Sequence, residues 1–561
     1  MAGQVASGDA APDAGKVGKF APLREPTFRR IWTTSLFSNF GQLILGVGAA
    51  WEMTRLSDSP QMVALVQTAM MLPLMLVALP AGAVADMFDR RKIALAGLGL
   101  SVISASGLTA IAFAGLTTPW LLLAFCVLIG AGVALYSPAW QASIGEQVSQ
   151  EHLPQAIALG TISYNVARSF GPALGGLVVL ALGAKAAFAI NALFYVPLWL
   201  AFFFWKRTHQ PSRLPPERID RAILSGGRYA LHSPPIRTVM LRACIFGIAS
   251  AAIMALSPLV ARDLLKGDAD VYGLLLGASG VGAVLAALFV GDFRSRYSTE
   301  AVVRVCTVLT AISLAVIGLS RSVPLTCAAM FISGGCNILS FAMMNVSVQL
   351  SAPRWVTARA LSLYSSALTG GFALGAWIWG VVAQGHGVIF AFLGSAAAVA
   401  ATLLVAWIMP LPKANEEEGN DLVDIGYAPE PSLALTMRSG PVVVEVEYDV
   451  DPEAARDFYQ VMLRMERVRK RIGAFDWSIS RDVANPAIWL ERYRCATWGD
   501  YLRMRDRYTQ SDFEVQEEAD AFNRSGGGRR VRRRLERPYG SVRWKADSPD
   551  LYKGTVDYFA P

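Results

Sequence analysis

Between residues 30 and 409 the chain is a succession of long apolar runs separated by short polar breaks. A helix needs about 20 mainly apolar residues to cross a bilayer core. Read with that window, the chain predicts twelve spans, near 30–52, 62–85, 93–115, 119–141, 156–181, 185–205, 238–261, 271–292, 300–320, 323–347, 359–383 and 386–409. No soluble domain needs so many uninterrupted apolar runs. The predicted class is an all-α polytopic membrane protein. The longest gap between spans, 206–235, contains five prolines and a helical stretch near 219–232. It divides the spans into two six-helix pseudo-repeats, at 25–205 and 236–410.

The pattern changes after Pro410. Residues 411–439 are acidic, then proline-dotted, and read as a linker. From 440 to 545 the chain is charged and shows both periods. Val442–Val450 alternates as a strand, and Pro452–Ile472 has helical spacing, with Pro at its start and Gly473 past its end. Phe475–Val483 and Ala487–Cys495 read as strands around Asn485-Pro486. Thr497–Tyr508 and Asp512–Asn523 read as helices, and Arg530–Arg537 as a last strand. The order βαββαβ predicts a soluble α+β ferredoxin-like domain. Residues 1–24 and 546–561 read as tails, the first a disordered, Ala/Gly-rich cytoplasmic one.

Composition agrees with lipid exposure. Of 561 residues, 53% are hydrophobic and only 17% charged, against nearer a quarter charged in soluble proteins. The net charge of +8 is not spread evenly. Arg90-Arg91-Lys92, the stretch 206–242, Arg294 with Arg296, and Arg354 with Arg359 all fall on one set of connections, while the opposite set is short and nearly uncharged. The basic set predicts the cytoplasmic side and puts both termini there. This charge asymmetry assigns the basic excess to the membrane surface, not to nucleic acid. Five of the six cysteines lie in apolar segments, none forms a CxxC pair, and all are read as packing residues.

Two segments carry candidate chemistry. In the connection Gly82–Lys92, Gly82 lets helices approach, and Asp86 stands at a helix end where it can pair with Arg90 or Arg91, or cap a helix of the other half. The same spacing recurs as Asp292 with Arg296, which predicts a paired gate. In the fifth span, Asn165-Val-Ala-Arg168-Ser-Phe-Gly171-Pro172-Ala-Leu-Gly175-Gly176 combines small and kinking residues with a charge halfway along the span. Small residues permit close helix packing. A mid-span arginine is costly unless it faces water, a partner or a cavity, so Arg168 is read as lining the cavity or holding a gating network.

Acids in or near apolar spans are candidate titratable groups. Glu52, Asp263 and Glu146 are the acids near span ends, with Glu52 the preferred candidate. Asn39, Gln42 and Asn165 are candidate substrate contacts, as are the aromatics Trp51, Trp140, Tyr164, Tyr364, Trp377 and Trp379. Each has an alternative in helix packing or interface anchoring. Glu146, Glu151 and His152 lack the spacing of a metal site. No cofactor or metal is expected.

These motifs resemble the major facilitator superfamily over about residues 25–410. The loop Gly82–Lys92 is similar to its signature between the second and third spans, and the GPxxGG element to the fifth-span motif of its exporters. With the charged C-terminal region, the chain resembles the transmembrane secretion effector branch, which includes enterobactin-type siderophore exporters. Met87 and Asp89 depart from the usual loop, and the fourth span lacks the arginine many antiporters place there. The C-terminal domain resembles the antibiotic-biosynthesis-monooxygenase type of dimeric α+β barrel through Trp489–Tyr493 and Trp498–Arg505, yet it has no histidine from 440 onward. The resemblance implies an inner-membrane, proton-coupled, alternating-access exporter of a small amphiphilic or aromatic compound, and a homodimer through the C-terminal domain. The competing expectations are a membrane-anchored monooxygenase-like enzyme and a non-transporting sensor.

Overall fold

The computed structural model describes residues 20–87, 89–149, 152–206, 233–352, 357–412, 431–524 and 529–536, and some side chains within these, including 77–87, 165 and 359, lie outside the description. Helix α1 spans Pro26–Leu56, α2 Pro60–Met87, α3 Arg90–Phe113, α4 Pro119–Ser143, α5 Leu153–Leu182 and α6 Ala184–Phe204. After the gap come α7 (Pro234–Leu264), α8 (Ala269–Leu288), α9 (Thr299–Leu319), α10 (Val323–Ser351), α11 (Thr357–His386) and α12 (Val388–Ile408). Helix α7 ends in a π-helical turn, Val260–Leu264. A two-turn helix, Val290–Arg296, joins α8 to α9.

Ten of these helices are long and apolar enough to cross a membrane, fewer than the twelve predicted spans. Helix α1 is not among the ten: its 31 residues include Arg29, Arg30, Glu52 and Arg55. The description of α2 as an apolar helix stops at Leu76. The helices end where local chemistry stops them. Thr118 caps α4, and Ser298 caps α9. Gly183 and Gly387 turn the chain with φ of +81° and +89° between antiparallel neighbours.

The two sets of six pack alike. In the first, α1 contacts α5 and α6, and α3 contacts α4 and α6; in the second, α7 contacts α11 and α12, and α9 contacts α10 and α12. Arginines at matching helix starts close matching helix ends. Arg91 at the start of α3 donates from Nε to the Phe202 carbonyl of α6 at 3.0 Å, and Arg304 in α9 donates to the Ala406 carbonyl of α12 at 3.2 Å. Each supplies a donor to carbonyls left unpaired at a helix C-terminus.

In the soluble region, β1 (Val442–Asp449), β2 (Phe475–Arg481), β3 (Ile488–Cys495) and β4 (Arg530–Leu535) form an antiparallel sheet in the order β2-β3-β1-β4. Helices α13 (Ala455–Ile472), α14 (Trp498–Arg505) and α15 (Gln510–Ala521) accompany it. Val444, Val446 and Tyr448 bury one face of β1 against Phe458, Met462 and Met465 of α13. Within this core lies an ion pair. Arg469 Nε donates to Glu491 Oε1 at 2.8 Å, and its Nη2 also donates to Gln516. Trp477 Nε1 donates to the same carboxylate at 3.0 Å. Burial opposes the Arg469 charge, but the Glu491 carboxylate outweighs it and holds the guanidinium pKa well above its ordinary value. Burial also pushes the nearby Cys495 thiol up to about 12.

Breaking one partner of a buried pair leaves an unpaired charge. Glu491→Gln should therefore lower the stability of the soluble domain by roughly 3–5 kcal/mol. Limited proteolysis of the full chain, following the C-terminal fragment, checks this; unchanged protection would remove the pair from the fold's support.

Candidate functional site

The two halves meet along two seams, α2 with α11 and α5 with α8. These pairs are equivalent under the pseudo-repeat, since α2 corresponds to α8 and α5 to α11. Along the first seam, Ser59 Oγ donates to Gln384 Oε1 at 2.7 Å and Thr68 Oγ1 to the Ala373 carbonyl at 3.0 Å. Ala64 lies against Gly380, and Met75 against Gly370. The second seam is set by glycine. A Cβ at Gly176 would collide with the Gly273 backbone, so α5 and α8 touch main chain to main chain.

The predicted GPxxGG motif therefore divides its work. Gly171 faces Leu43 of α1, where an added Cβ would come within 2.8 Å, and Gly175 faces Val47 of the same helix at 3.0 Å. These two glycines compact the first half. Gly176 faces the second half, as does Ala173, whose Cβ packs toward Gly277 of α8. Pro172 lies inside α5.

A third set of contacts closes the end of the bundle opposite the basic connections. Arg262, in the π-helical turn of α7, donates to the Thr54 carbonyl at the end of α1 at 2.7 Å and pairs with its neighbour Asp263 at 2.6 Å. Trp51 stacks on Tyr272 with centroids 5.8 Å apart. Sequence reasoning named Trp51, Tyr272's partner, but missed the Arg262 latch. Its signal was an arginine near a span end, which is the ordinary place for one. Glu52, the preferred coupling acid, is 7% exposed and bonded to Arg55 one turn on, at 3.2 Å. Its partner is thus intrahelical.

The predicted charged gate is arranged differently from the expectation. The Asp86 side chain and the surroundings of Gly82 lie outside the description. Arg90 pairs with Glu146 at 3.0 Å and donates to the Ala142 carbonyl at 2.7 Å. Arg91 holds the end of α6, bonding the carbonyls of both Phe202 and Phe203. Asp89 accepts from the Arg91 amide at 2.9 Å and so caps α3. Arg90 and Arg91 are thus tied to α4 and α6 within their own half. Glu146, a coupling candidate, is Arg90's partner. Asp292 and Arg296 are both exposed on the two-turn helix, and no ion pair joins them. In their region a partly buried charge cluster stands instead: Glu300 accepts from Arg304 at 2.6 Å and from the Leu411 amide at 2.9 Å, and also pairs with the buried Arg242.

Near the bundle's middle, Arg168 of α5 is half-buried. Its guanidinium lies 5.9 Å from the ring centroid of Phe341 on α10 and within electrostatic reach of Tyr364 on α11. Asn39 Nδ2 donates to Ser163 Oγ of α5 at 3.4 Å, which makes it an α1–α5 tie. Gln42 is half-buried on α1, and the side chain of Asn165 lies outside the described residues. Trp140 and Trp379 are buried in packing, and Tyr164 and Trp377 are exposed. No group of metal-binding side chains occurs among the described residues.

Two six-helix sets meeting along equivalent seams define a fold of the major facilitator type. The fold matches solved structures: the nucleoside transporter NupG (TM-score 0.55, 13% identity, 69% of this chain and 99% of that one), and a bacterial homologue of the human lysosomal transporter Spinster in an inward-facing, unoccupied conformation (TM-score 0.54, 14% identity, 71% and 96%). The family described as "Transmembrane secretion effector" matches residues 17–539, and the chain belongs to it. It is 26% identical over 348 residues to an uncharacterized MFS-type transporter, YfiS of Bacillus subtilis, covering 60% of this chain and 82% of that protein. It is 25% identical over 394 residues to the enterobactin exporter EntS of Shigella boydii, covering 69% and 91%. A staphyloferrin A transporter of Staphylococcus aureus matches at 21% identity over 46% of this chain and 66% of its own length. The protein is a multi-pass inner-membrane transporter of a small molecule and not an enzyme.

Gly176→Leu should wedge the α5–α8 seam apart. With Ala64→Cys as reporter (Ala64 is fully buried against Gly380), maleimide labelling of the purified protein should rise about tenfold, a shift of ~1.4 kcal/mol in the closing equilibrium. Equal labelling in both backgrounds would dissociate Gly176 from closure.

Proposed function

We propose that this chain is an alternating-access exporter of a small amphiphilic or aromatic compound, a siderophore-like molecule or a drug-like one, coupled to proton entry. All twelve helices α1–α12 span the membrane. The basic connections and both termini face the cytoplasm, as the Lys/Arg asymmetry supports. The observation that carries the reading is where the halves touch. Among the described residues, cross-half contacts run from the end opposite the basic connections, at Thr54–Arg262 and Ser59–Gln384, to the middle, at Met75–Gly370 and Arg168–Phe341. That distribution supports a state in which the halves are closed at the end opposite the basic connections, one of the two end states alternating access requires. The relatives that transport enterobactin and staphyloferrin A support the siderophore-like cargo class.

The soluble domain is proposed as a ferredoxin-like, non-catalytic module that pairs two copies. On the sheet face opposite the core, the acids Glu445 and Glu447 of β1 stand between Arg492 and Arg494 of β3 and Arg530, Arg532 and Arg534 of β4. Alternating stripes of opposite charge are self-complementary, which supports a two-fold contact.

Efflux from preloaded cells under an imposed pH gradient tests the transport reading with a panel of siderophores and hydrophobic drugs. Release of at least one compound should follow the gradient. Transport that ignores it removes proton coupling, and a panel that never moves removes export. Asp86→Asn should cut efflux by about tenfold at unchanged membrane level if its charge serves the gate, a cost of ~1.4 kcal/mol. Normal turnover in that variant would take Asp86 out of the mechanism.

A further inference from the structure

The distribution of acids in the helices is as informative as the arginine. Between His152 and Pro216 there is no Asp or Glu, and none between Ala301 and Asn415. The first stretch contains all of α5, and the second all of α10 and α11. Arg168 therefore sits on an acid-free helix and faces acid-free helices. In the remaining spans the acids Glu52, Asp86, Asp263, Asp270 and Glu300 all stand within about one turn of a helix end. Among the described residues no carboxylate lies within ion-pair distance of Arg168.

Among the described residues, the groups placed beside the guanidinium are aromatic. Phe341 offers its ring at 5.9 Å, within the range of a cation–π contact. The Tyr364 hydroxyl donates to the Phe341 backbone carbonyl at 3.1 Å, which ties the tyrosine side chain of α11 to α10 beside the Phe341 ring. Phe341 packs edge-on against Phe246 at 5.9 Å and Phe372 at 5.6 Å. A cation–π contact offsets part of the cost of a half-buried charge, but it does not neutralise it.

We infer that the missing counter-ion is the cargo: Arg168 with Phe341 and Tyr364 forms a subsite for an aromatic anion, a carboxylate or phenolate attached to a ring. This rests on the exporter reading above and specifies its substrate class. The guanidinium fork matches a carboxylate's two oxygens, and the Phe341 ring beside it, with half-buried Phe372 packed against that ring, makes the surroundings of the attached group aromatic. Because Arg168 belongs to the first half and the rings to the second, an anion bound between them touches both.

The test uses the purified full chain in lipid nanodiscs and tryptophan fluorescence titration with four probes at constant ionic strength: 2-naphthoate, 2-naphthamide, 2-naphthylmethylammonium and acetate. The naphthoate should bind at least about tenfold more tightly than the amide or the ammonium, ~1.4 kcal/mol or more, and acetate should bind negligibly. Arg168→Gln should lose about tenfold in naphthoate affinity and leave the amide unchanged, while Arg168→Lys should retain part of the preference. Equal binding of the three naphthalene probes, or no naphthoate binding, overturns the subsite. Acetate binding as tightly as naphthoate reduces it to a site for any small anion and also overturns it. Wild-type selectivity decides these outcomes even where Arg168→Gln fails to fold. Efflux that fails while naphthoate selectivity persists sinks export alone; efflux of neutral or cationic compounds with no anion preference sinks this subsite alone.

Discussion

The distance between the two halves is set by the absence of two side chains. Gly176 on α5 and Gly273 on α8 meet backbone to backbone, and any Cβ at either would push the helices apart. In lipid, burying apolar surface between helices gains little, since lipid tails are as apolar as leucine. Association then depends on close packing and interhelical hydrogen bonds. A glycine contact supplies the closeness; Thr68 to the Ala373 carbonyl and Ser59 to Gln384 supply the bonds on the equivalent seam. Each contact is weak by itself. A seam of weak, short-range contacts is stable when closed and still able to part, which a buried ion pair between the halves would oppose.

Much of this architecture is legible as pattern. Apolar runs fixed the helices to within a few residues, because in a bilayer every backbone donor must be satisfied inside its own helix. Strand and helix bounds in the soluble region were equally local: Pro452, Gly473 and Asn485-Pro486 stop elements by their own backbone preferences. The small residues of the GPxxGG motif suggest close packing, and Gly171, Gly175 and Gly176 stand at close helix contacts. Its division between Gly171 and Gly175 on one side and Gly176 on the other was not readable, because it depends on which helices flank α5.

The charged loop was the least legible part. Arg90 and Arg91 looked like partners for Asp86 because they are near it in sequence. At the first turn of α3, however, their side chains reach sideways to Glu146, after α4, and to the open end of α6. Sequence proximity favoured a local pair, and tertiary neighbours supplied better ones. Asp292 and Arg296 repeat the spacing without the pairing, since both point to solvent, where an ion pair gains little. The cluster that does hold that end of the second half, Arg242–Glu300–Arg304, joins residues from two different helices. Periodicity cannot reveal such a cluster.

Arg168 inverts the usual logic of a membrane charge. An arginine that carried its own carboxylate would be neutral overall, and the arrival of cargo would change little about how the halves pack. Here the charge is left to an aromatic ring from the opposite half, so the electrostatic state of the seam depends on what lies beside it. An anion drawn to Arg168 reduces the cost of enclosing that charge, and it does so at the point where α5 approaches α10 and α11. Cargo binding and the relative stability of the closed seam are then linked, because a ligand shifts a conformational equilibrium only by its differential affinity for the two states. The same absence of mid-span acids also constrains the driving reaction. On the proposed proton coupling, a helix carboxylate that exchanges protons would stand within about one turn of a helix end, as Glu52 does, and so apart from Arg168.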